Sequence, residues 1–565
     1  MAETHTGPKS PPGAAAPGRA AEMTGGEAAV AALDALGVDT VFGIVSVHNI
    51  PIMDAVSRSG RVRLVGCRHE QGAVHAADGY ARATGRLGVC VTSTGPGAAN
   101  AMGGLYEASY ASSPVLMLTG QVESDQYGRG RGALHQAERQ LDMLRTVTKR
   151  SEHVSRHVDI AGTVLAVASE VRSGRPGPGA VQIPIDLQYG RGAVATLEAE
   201  ASQHETPPSA AVEAAAAVLA ASERPLIIAG GGAVLAGASE ALSALAERLA
   251  APVLTTVEGR GSIPEDHRLS LGPNTDLAGM DPVIAQADVV LAVGTRFQQN
   301  NNIHKWLTIP GRLVHLDADV TMIGRVHPAE VGLVGDARLG LEALLAATTA
   351  TDRDPSWAER CGRIRDEVVA TSRGALGPDL LAIMEAIDAI LPEGAIVAKD
   401  ATVSAYQWAN RLLPVRQPRT SMRPVSMAIG PGVPLGIGAA VGSGRPTVVI
   451  QGDGGLMLSL GELATAVQHD LDLVVCVFND GGYGILRFIQ DIVVEGRHTG
   501  VDLATPRFAP LAEAMGTRAA EVSDPEGFAE AFSEAVTTGG PWLLDIDLTA
   551  MAPMKILPQR RPERP

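Results

Sequence analysis

The sequence contains few aromatic residues and few cysteines, and it has no long apolar run. Phe, Trp and Tyr make up 3% of the 565 residues, whereas 64 are glycine, so cores must be built from small aliphatic side chains with close backbone approach. The cysteines Cys67, Cys90, Cys361 and Cys476 show no disulfide or metal-ligand spacing, which is typical of a reducing compartment. With no membrane-length run and no secretory signal core, a cytoplasmic protein is predicted.

The excess of negative charge excludes further classes of partner. The formal net charge is -16 and the isoelectric point is near 5.4, which argues against binding to nucleic acid or to an anionic membrane. A site for a phosphorylated ligand must therefore use backbone N–H groups, a metal ion or local arginines.

Helix-like runs alternate with short apolar strands in three segments, which predicts an α/β protein with three parallel-sheet domains. The length also favours several domains. Two polar stretches, EAEASQHETPPSA and TATDRDPSW, separate the segments. The first and third segments could be one architecture used twice. The predicted divisions are a disordered tail at 1–21, domains at 22–197, 211–345 and 375–550, and a C-terminal tail at 551–565.

The stretch from 446 to 484 carries the most informative pattern. A buried strand, VVIQ, runs into Gly452, Asp453, Gly454 and Gly455, where backbone amides at a helix start could bind a diphosphate. The next strand ends at NDGG, so the side chain of Asp480 and the carbonyl of Gly482 could join Asp453 on one Mg²⁺ ion. The alternative is a pair of ordinary Asp-Gly and Asn-Asp-Gly turns.

GDGG followed by FNDGG resembles the thiamin-diphosphate motif, and residues 22–550 resemble the acetolactate synthase, benzaldehyde lyase and 2-oxo acid decarboxylase group. The resemblance implies a pyrimidine-binding domain, a central Rossmann-like domain and a diphosphate-binding domain. It also implies that Asp453, Asp480 and Gly482 hold Mg²⁺. This sequence departs from the pattern at Asp480, where the group has asparagine, so an extra negative charge and tighter metal dependence are expected. The cofactor-binding residues implied by the motif are Gly452, Asp453, Gly454, Gly455, Asp480, Gly482 and Tyr483.

Glu70 lies in RHEQGA, where a strand gives way to a helix with a small-residue face. By itself it could be a helix-dipole charge. The resemblance instead implies a catalytic glutamate that hydrogen-bonds the cofactor's aminopyrimidine and so promotes proton removal from the thiazolium carbon. In that group Glu70 and Asp453 of one site come from different subunits, so a homodimer or homotetramer is expected.

Two further stretches resemble cofactor-contacting parts of the group. In TSTGPGAAN, Gly95, Pro96 and Gly97 are expected to shape the wall beside the pyrimidine, with Asn100 in the following helix. In MAIGPGVPLGIGAA, Ile429 aligns with the bulky residue that wedges the cofactor into its bent form. Without the resemblance these would be an ordinary turn and a core residue.

Substrate-side residues are expected in the first domain and near residue 489. His48 stands where benzaldehyde lyase has an active-site histidine and is suited to proton transfer, and Gln121 matches a cofactor-facing glutamine of acetolactate synthases. His69 and His75 are expected to be structural. Ile489 replaces the tryptophan with which the synthases select their second 2-oxo acid, which argues against a role in branched-chain amino-acid biosynthesis.

The central segment raises the question of a flavin. Arg296 and Asp317 resemble FAD-contacting positions of the synthases, but LGPNT and RFQQN stand where the synthases have GMHG and RFDDR. FAD is therefore possible, and a vestigial or empty central domain is expected in preference to it.

The predicted function is a lyase or transferase that uses thiamin diphosphate and Mg²⁺ to decarboxylate a small-molecule 2-oxo acid, to ligate the product to an acceptor carbonyl, or both. Three alternatives stay open. They are a pyruvate-oxidase-type flavoenzyme, which would be yellow; a 2-hydroxyacyl-CoA lyase that binds CoA phosphates with QRRPERP; and a cofactor-binding regulator without turnover. The sequence does not identify the donor, the acceptor or the pathway.

Overall fold

The computed structural model describes residues 21–195, 197–199, 203–275, 277–298, 307–349 and 353–555. The predicted tails lie outside the described residues except for Ala21 and residues 551–555. The QRRPERP stretch and the last two residues of RFQQN also lie outside them.

The first unit is built on a parallel sheet flanked by helices. Its strands are β1 (Ala21–Thr24), β2 (Thr40–Gly43), β3 (Arg63–Gly66), β4 (Gly88–Thr92), β5 (Val115–Gln121), β6 (Arg150–His153), β7 (Gly179–Pro184) and β8 (Arg191–Val194). Its helices are α1 (Gly25–Ala35), α2 (Ile50–Ser59), α3 (Glu70–Thr84), α4 (Pro96–Asn100), α5 (Met102–Ala111), α6 (Gln140–Arg145), α7 (Ile160–Arg172) and α8 (Ile185–Tyr189). The main sheet has the order β3-β2-β4-β5-β7-β6, and β1 pairs antiparallel with β8.

The central unit has a five-stranded parallel sheet. Its strands are β9 (Pro225–Ala229), β10 (Val253–Thr255), β11 (Val289–Val293), β12 (Arg312–Asp317) and β13 (Val331–Val334). Their order across the sheet is β10-β9-β11-β12-β13. The helices are α9 (Ser209–Ala220), α10 (Gly231–Leu235), α11 (Ser239–Leu249), α12 (Asp281–Gln286), α13 (Ala337–Ala347) and α14 (Ser356–Ala375). Helix α14 follows the second polar stretch and packs on this unit, where the Trp357 indole N–H donates to the Pro225 carbonyl (2.9 Å).

The C-terminal unit has a second six-stranded parallel sheet. Its strands are β14 (Ile396–Lys399), β15 (Ser421–Met422), β16 (Thr447–Gly452), β17 (Leu473–Asn479), β18 (Arg518–Val522) and β19 (Pro541–Asp547). Its helices are α15 (Gly377–Ile390), α16 (Gly432–Ser443), α17 (Asp453–Leu456), α18 (Leu463–Gln468), α19 (Gly484–Val493), α20 (Phe508–Ala514) and α21 (Pro525–Thr538). Its order, β15-β14-β16-β17-β19-β18, repeats that of the first unit strand for strand. The predicted α/β class with three parallel sheets is confirmed, and the first and third units share one topology.

The first and third units pack together through α3 and α16. The small side chains predicted on α3, such as Ala73 and Ala76, are fully buried in this contact. The approach is so close that an added Cβ at Gly438 would lie 1.8 Å from the Ala76 carbonyl oxygen. The low aromatic content therefore corresponds to helices that touch backbone to backbone.

The described part of the C-terminal tail stays in contact with the third unit. Met551 is buried in the core of that unit, and the Ala552 N–H donates to the Asp379 carboxylate of α15 (2.7 Å). All four cysteines are free and buried. Among the helices that the structure describes, none is long and apolar enough to cross a membrane.

Candidate functional site

A cavity of about 990 Å³ lies between the central and C-terminal units, and residues of the first unit such as Tyr110 and Arg175 also line it. Its lining includes Ile429 and all seven residues predicted from the GDGG and NDGG turns: Gly452, Asp453, Gly454, Gly455, Asp480, Gly482 and Tyr483. Strands β16 and β17 are parallel neighbours, so their carboxyl ends bring the two acidic turns to the same edge of the sheet.

The two aspartates form a negatively charged floor. Asp453 is the first residue of α17, is buried, and has an Oδ2 atom with no hydrogen-bond partner among the described residues. Burial and then the charge of Asp480 raise the pKa of Asp453 to about 6. Burial also raises the pKa of Asp480. Such a desolvated pair of carboxylates is unfavourable until a cation or protons neutralise it.

The Gly482 carbonyl oxygen lies close to Gly454, the residue after Asp453. An added Cβ at Gly454 would lie 3.3 Å from the Gly482 carbonyl oxygen and 2.6 Å from the Tyr483 ring. Within the described residues there is no group of three or more His, Cys, Asp or Glu side chains that could hold a metal. A metal ion at this floor would therefore need oxygens from the main chain, a ligand or water in addition to two carboxylates, as Mg²⁺ commonly has.

The helix after Asp453 differs from the one that the sequence pattern predicts. The run LMLSLGELATAV predicts a single helix from Leu456 onward, but α17 covers only Asp453–Leu456, and a 3₁₀ turn at Leu460–Glu462 precedes α18. The break allows Glu462 to turn back toward the first unit. There its Oε1 atom accepts the backbone N–H groups of Arg68 and His69 at 3.0 and 3.1 Å.

Asp400 is a buried residue next to this cavity that the sequence motifs do not single out. It follows β14 and accepts the N–H groups of Gly430 (2.8 Å) and Ala401 (2.8 Å) and the side-chain amide of Gln451. Burial raises its pKa to about 6. Asp400 thereby joins the loop of Ile429 to the strand that leads to Asp453. The signal in the sequence is an aspartate directly after the short apolar run AIVAK.

Glu70 begins α3, as predicted, and lies in a small polar cluster of the first unit. The Asn100 side-chain amide donates to Glu70 Oε2 at 3.0 Å, and an added Cβ at Gly97 would lie 3.0 Å from Oε1. His69 is the N-cap of α3, and its ring accepts the N–H of Gln71 at 3.2 Å. The structural role expected for His69 is therefore observed.

The turn that follows β4 has a backbone conformation that favours glycine. Gly95 has φ +55°, and an added Cβ there would lie 2.3 Å from the carbonyl oxygen of His135, so only glycine is compatible with this geometry. Its N–H donates to the buried Gln140 side chain (2.7 Å). Pro96 then begins α4. His135 itself has φ +58° and was not identified from the sequence.

His48 and Gln121 are both buried with an unsatisfied polar atom. The Nδ1 atom of His48 and the Nε2 atom of Gln121 have no partner among the residues described. Burial, followed by the nearby His135 ring at 5.3 Å, lowers the pKa of His48. His48 is therefore held neutral near pH 7 and can accept a proton. His75 is buried on α3, and burial lowers its pKa to about 4.

Within one chain, the predicted residues form two separate groups. The predicted site residues of the first unit do not line the cavity that contains Asp453; these are His48, Glu70, Gly95, Pro96, Gly97, Asn100 and Gln121. Asp453 and Glu70 thus lie in different halves of the expected site.

The central unit contributes charged residues to the other end of the cavity. Arg296 and Asp317 both line it. Burial lowers the pKa of Arg296 to about 10 and raises that of Asp317 to about 6. The Arg296 guanidinium donates to the Tyr110 carbonyl (2.6 Å) of the first unit.

Comparison with known sequences gives matches along the whole chain. Residues 23–145, 212–344 and 402–546 match the N-terminal TPP-binding, central and C-terminal TPP-binding domains of thiamine pyrophosphate enzymes. A probable acetolactate synthase large subunit of Methanocaldococcus jannaschii is 33% identical, covering 95% of this chain and 94% of that protein. A probable 2-ketoarginine decarboxylase of Pseudomonas aeruginosa is 38% identical, covering 89% and 90%. The acetolactate synthase large subunit of Corynebacterium glutamicum is 32% identical, covering 91% and 84%.

The matched domains occur in the order of the three observed units, and the two TPP-binding matches fall on the units that carry Glu70 and Asp453. The family predicted from the GDGG and HE motifs is therefore confirmed. This chain belongs to the thiamine pyrophosphate enzyme family and is an enzyme that depends on thiamin diphosphate.

Proposed function

We propose that this enzyme decarboxylates a 2-oxo acid and releases an aldehyde or transfers the acyl unit to an acceptor carbonyl. The observation that carries the proposal is the cavity in which the carboxylates of Asp453 and Asp480 lie below an apolar wall. Relatives named acetolactate synthase and 2-ketoarginine decarboxylase support the same class of reaction. An apolar wall beside the reacting carboxylate favours loss of CO₂, because charge is dispersed as the carboxylate leaves.

The residues present fit thiamin diphosphate with Mg²⁺. The unpartnered Asp453 Oδ2 and the carboxylate of Asp480 would hold the metal with the Gly482 carbonyl, and the amides of Gly454 and Gly455 would face the diphosphate. When bound, the cofactor supplies the electron sink for the carbonyl substrate. Ile429 would shape the space beside it, while Glu70 would hold a proton at the pyrimidine ring nitrogen.

The substrate side is apolar. Helix α19 has no fully buried residue, yet its apolar side chains face the cavity. Ile489, at the expected tryptophan position, is among them. The side chains concerned are Ile485, Leu486, Phe488, Ile489, Ile492 and Val493. Ile489 in place of a tryptophan leaves space for a substituent larger than a methyl group on the donor or the acceptor.

We propose that the site is completed by a second copy of this chain. Exposed apolar side chains flank both halves of it: Val45 and Val47 near His48, Leu134 beside His135, and Leu458 after Asp453, each more than half exposed. Apolar residues next to functional loops are typical of an interface, and a two-fold dimer would cover both halves at once.

Mixing two inactive variants tests this arrangement. Glu70→Ala and Asp453→Ala homodimers should each be inactive, whereas hybrids have one intact and one doubly defective site. After random exchange at equal amounts, half the dimers are hybrids, so about one quarter of wild-type activity should return. Each variant mixed with itself is the control. No recovery in hybrids verified by mass spectrometry, or an active monomer in sedimentation, would contradict the two-chain site.

Product analysis with a panel of 2-oxo acids tests the reaction. The panel should contain 2-oxo acids with small, branched, aromatic and guanidino side chains, each tested with and without an aldehyde acceptor. CO₂ release and chiral products are measured in the same reactions. We expect CO₂ release that needs both thiamin diphosphate and Mg²⁺, and no reduction of a flavin. A yellow protein bleached by substrate would instead indicate an oxidase using the central unit, and no CO₂ from any acid would refute the proposal.

The expected cytoplasmic location is part of this proposal. It is supported by the four free, buried cysteines, since free thiols persist in a reducing compartment.

A further inference from the structure

The side chain of Arg487 extends from the helix that faces the cavity toward the acidic floor. It is a residue of α19, and its Nη1 atom is 3.5 Å from Asp480 Oδ2. Its Nη2 and Nε atoms donate to Asp502 Oδ1 at 2.9 and 3.1 Å. The guanidinium thus joins the carboxylate that replaces the family asparagine to a second acidic residue.

The surrounding backbone fixes the guanidinium in this position. The Arg487 N–H donates to the Tyr483 carbonyl (2.9 Å), and the Tyr483 N–H donates to the Val501 carbonyl (2.8 Å). An added Cβ at Gly482 would lie 3.0 Å from Arg487 Nη2. The arginine is therefore held directly above the NDGG turn by the segment that follows α19.

The charges explain why an arginine is suited to this position. Asp480 adds one negative charge next to the place of a diphosphate, where asparagine would add none. The Asp480 and Arg487 side chains are each about one quarter exposed, so their interaction is only partly screened. The positive charge of the guanidinium, 3.5 Å from Asp480, therefore offsets the added carboxylate.

We propose that Arg487 is the charge partner of Asp480. Its positive charge reduces the repulsion between the added carboxylate and the diphosphate, and its contact with Asp480 connects α19 to the cofactor turn. This inference rests on the proposed cofactor site and concerns a residue that positions, without contacting the reacting atoms. It assigns to Arg487 two opposite effects, attraction of the anionic cofactor and repulsion of the metal cation.

The Arg487→Met variant separates these effects. Binding of Mn²⁺ alone, followed by electron paramagnetic resonance, should become tighter, because a positive charge beside Asp480 is removed. Binding of thiamin diphosphate at saturating Mg²⁺, followed by calorimetry, should become weaker. Because the ion pair is partly exposed, we expect each of the two affinities to change by about threefold to fivefold. Arg487→Lys keeps the charge and should stay within about twofold of wild type.

Two further variants make the test specific. Arg497→Met removes a guanidinium of the same segment that pairs with the exposed Glu495, and neither affinity should change. In an Asp480→Asn background the arginine loses its ion pair with the turn, so Arg487→Met should tighten Mn²⁺ binding by less than it does in the wild-type background. Loss of both affinities in Arg487→Met with normal binding in Arg487→Lys, or an equal effect in both backgrounds, would overturn the proposal. A wild-type protein that binds neither Mn²⁺ nor thiamin diphosphate would refute the cofactor site itself.

Discussion

Replacing Asp453 by alanine should abolish retention of thiamin diphosphate. Asp453 is the buried carboxylate at the start of α17, and its Oδ2 atom lacks a partner among the described residues. A diphosphate above a floor that already carries Asp480 would meet like charge without a metal ion. Loss of a metal ligand should therefore weaken cofactor binding at least about 100-fold, since even residues that only support ligands account for 10–100-fold.

Equilibrium dialysis of cofactor at fixed Mg²⁺ gives this affinity directly. Asp491→Ala is a suitable control, because Asp491 is an exposed carboxylate of the same unit that pairs with His498 on the surface. Unchanged cofactor affinity in Asp453→Ala would refute the metal-site assignment, while an equal loss in Asp491→Ala would indicate a general effect of charge.

Glu70→Gln should leave cofactor binding intact and slow proton removal from the cofactor strongly. The amide is nearly isosteric and can still accept from Asn100, which donates to Glu70 Oε2 in the native protein. The diphosphate contacts in the other half of the site are untouched. However, an amide cannot share a proton with the pyrimidine nitrogen as a carboxyl group does, and general acid–base contributions run to roughly 10²–10⁴-fold.

The measurement is deuterium exchange of the cofactor's thiazolium proton in the two proteins. Glu526→Gln provides the matched control, because Glu526 is also an acidic residue in the first turn of a helix, α21. If Glu70 were only a helix-dipole charge, both variants would lose about 1 kcal/mol of stability or less and both would exchange normally. An exchange rate for Glu70→Gln within about threefold of wild type would remove Glu70 from the mechanism.

Much of the architecture could be read from local patterns. Alternating apolar strands and helices predict the three parallel sheets, and the GDGG and NDGG turns predict which strand ends carry the acidic residues. These predictions succeed because each depends on a contiguous segment, in which hydrophobic periodicity and turn residues act over a few positions. The broken helix after Asp453 was not predicted, because its course depends on the contact of Glu462 with the first unit.

Only the tertiary structure identifies the residues that connect segments far apart in the sequence. Glu107 accepts the N–H groups of Val425 and Ser426 from another unit at 2.6 and 2.9 Å. Glu462 holds the turn before Glu70 in a similar way. Neither lies in a motif, because a buried carboxylate that binds remote backbone amides has no local pattern around it.

The sequence by itself determined the family, the α/β class and the identity of the acidic turns. Only the tertiary structure decided that Asp453 faces a cavity shared with the central unit, that Glu70 lies outside that cavity in the same chain, and that Arg487 reaches Asp480. The physical reason is that strand and turn formation depend on neighbours along the chain, whereas burial, charge pairing and cavity shape depend on which surfaces meet when the units pack.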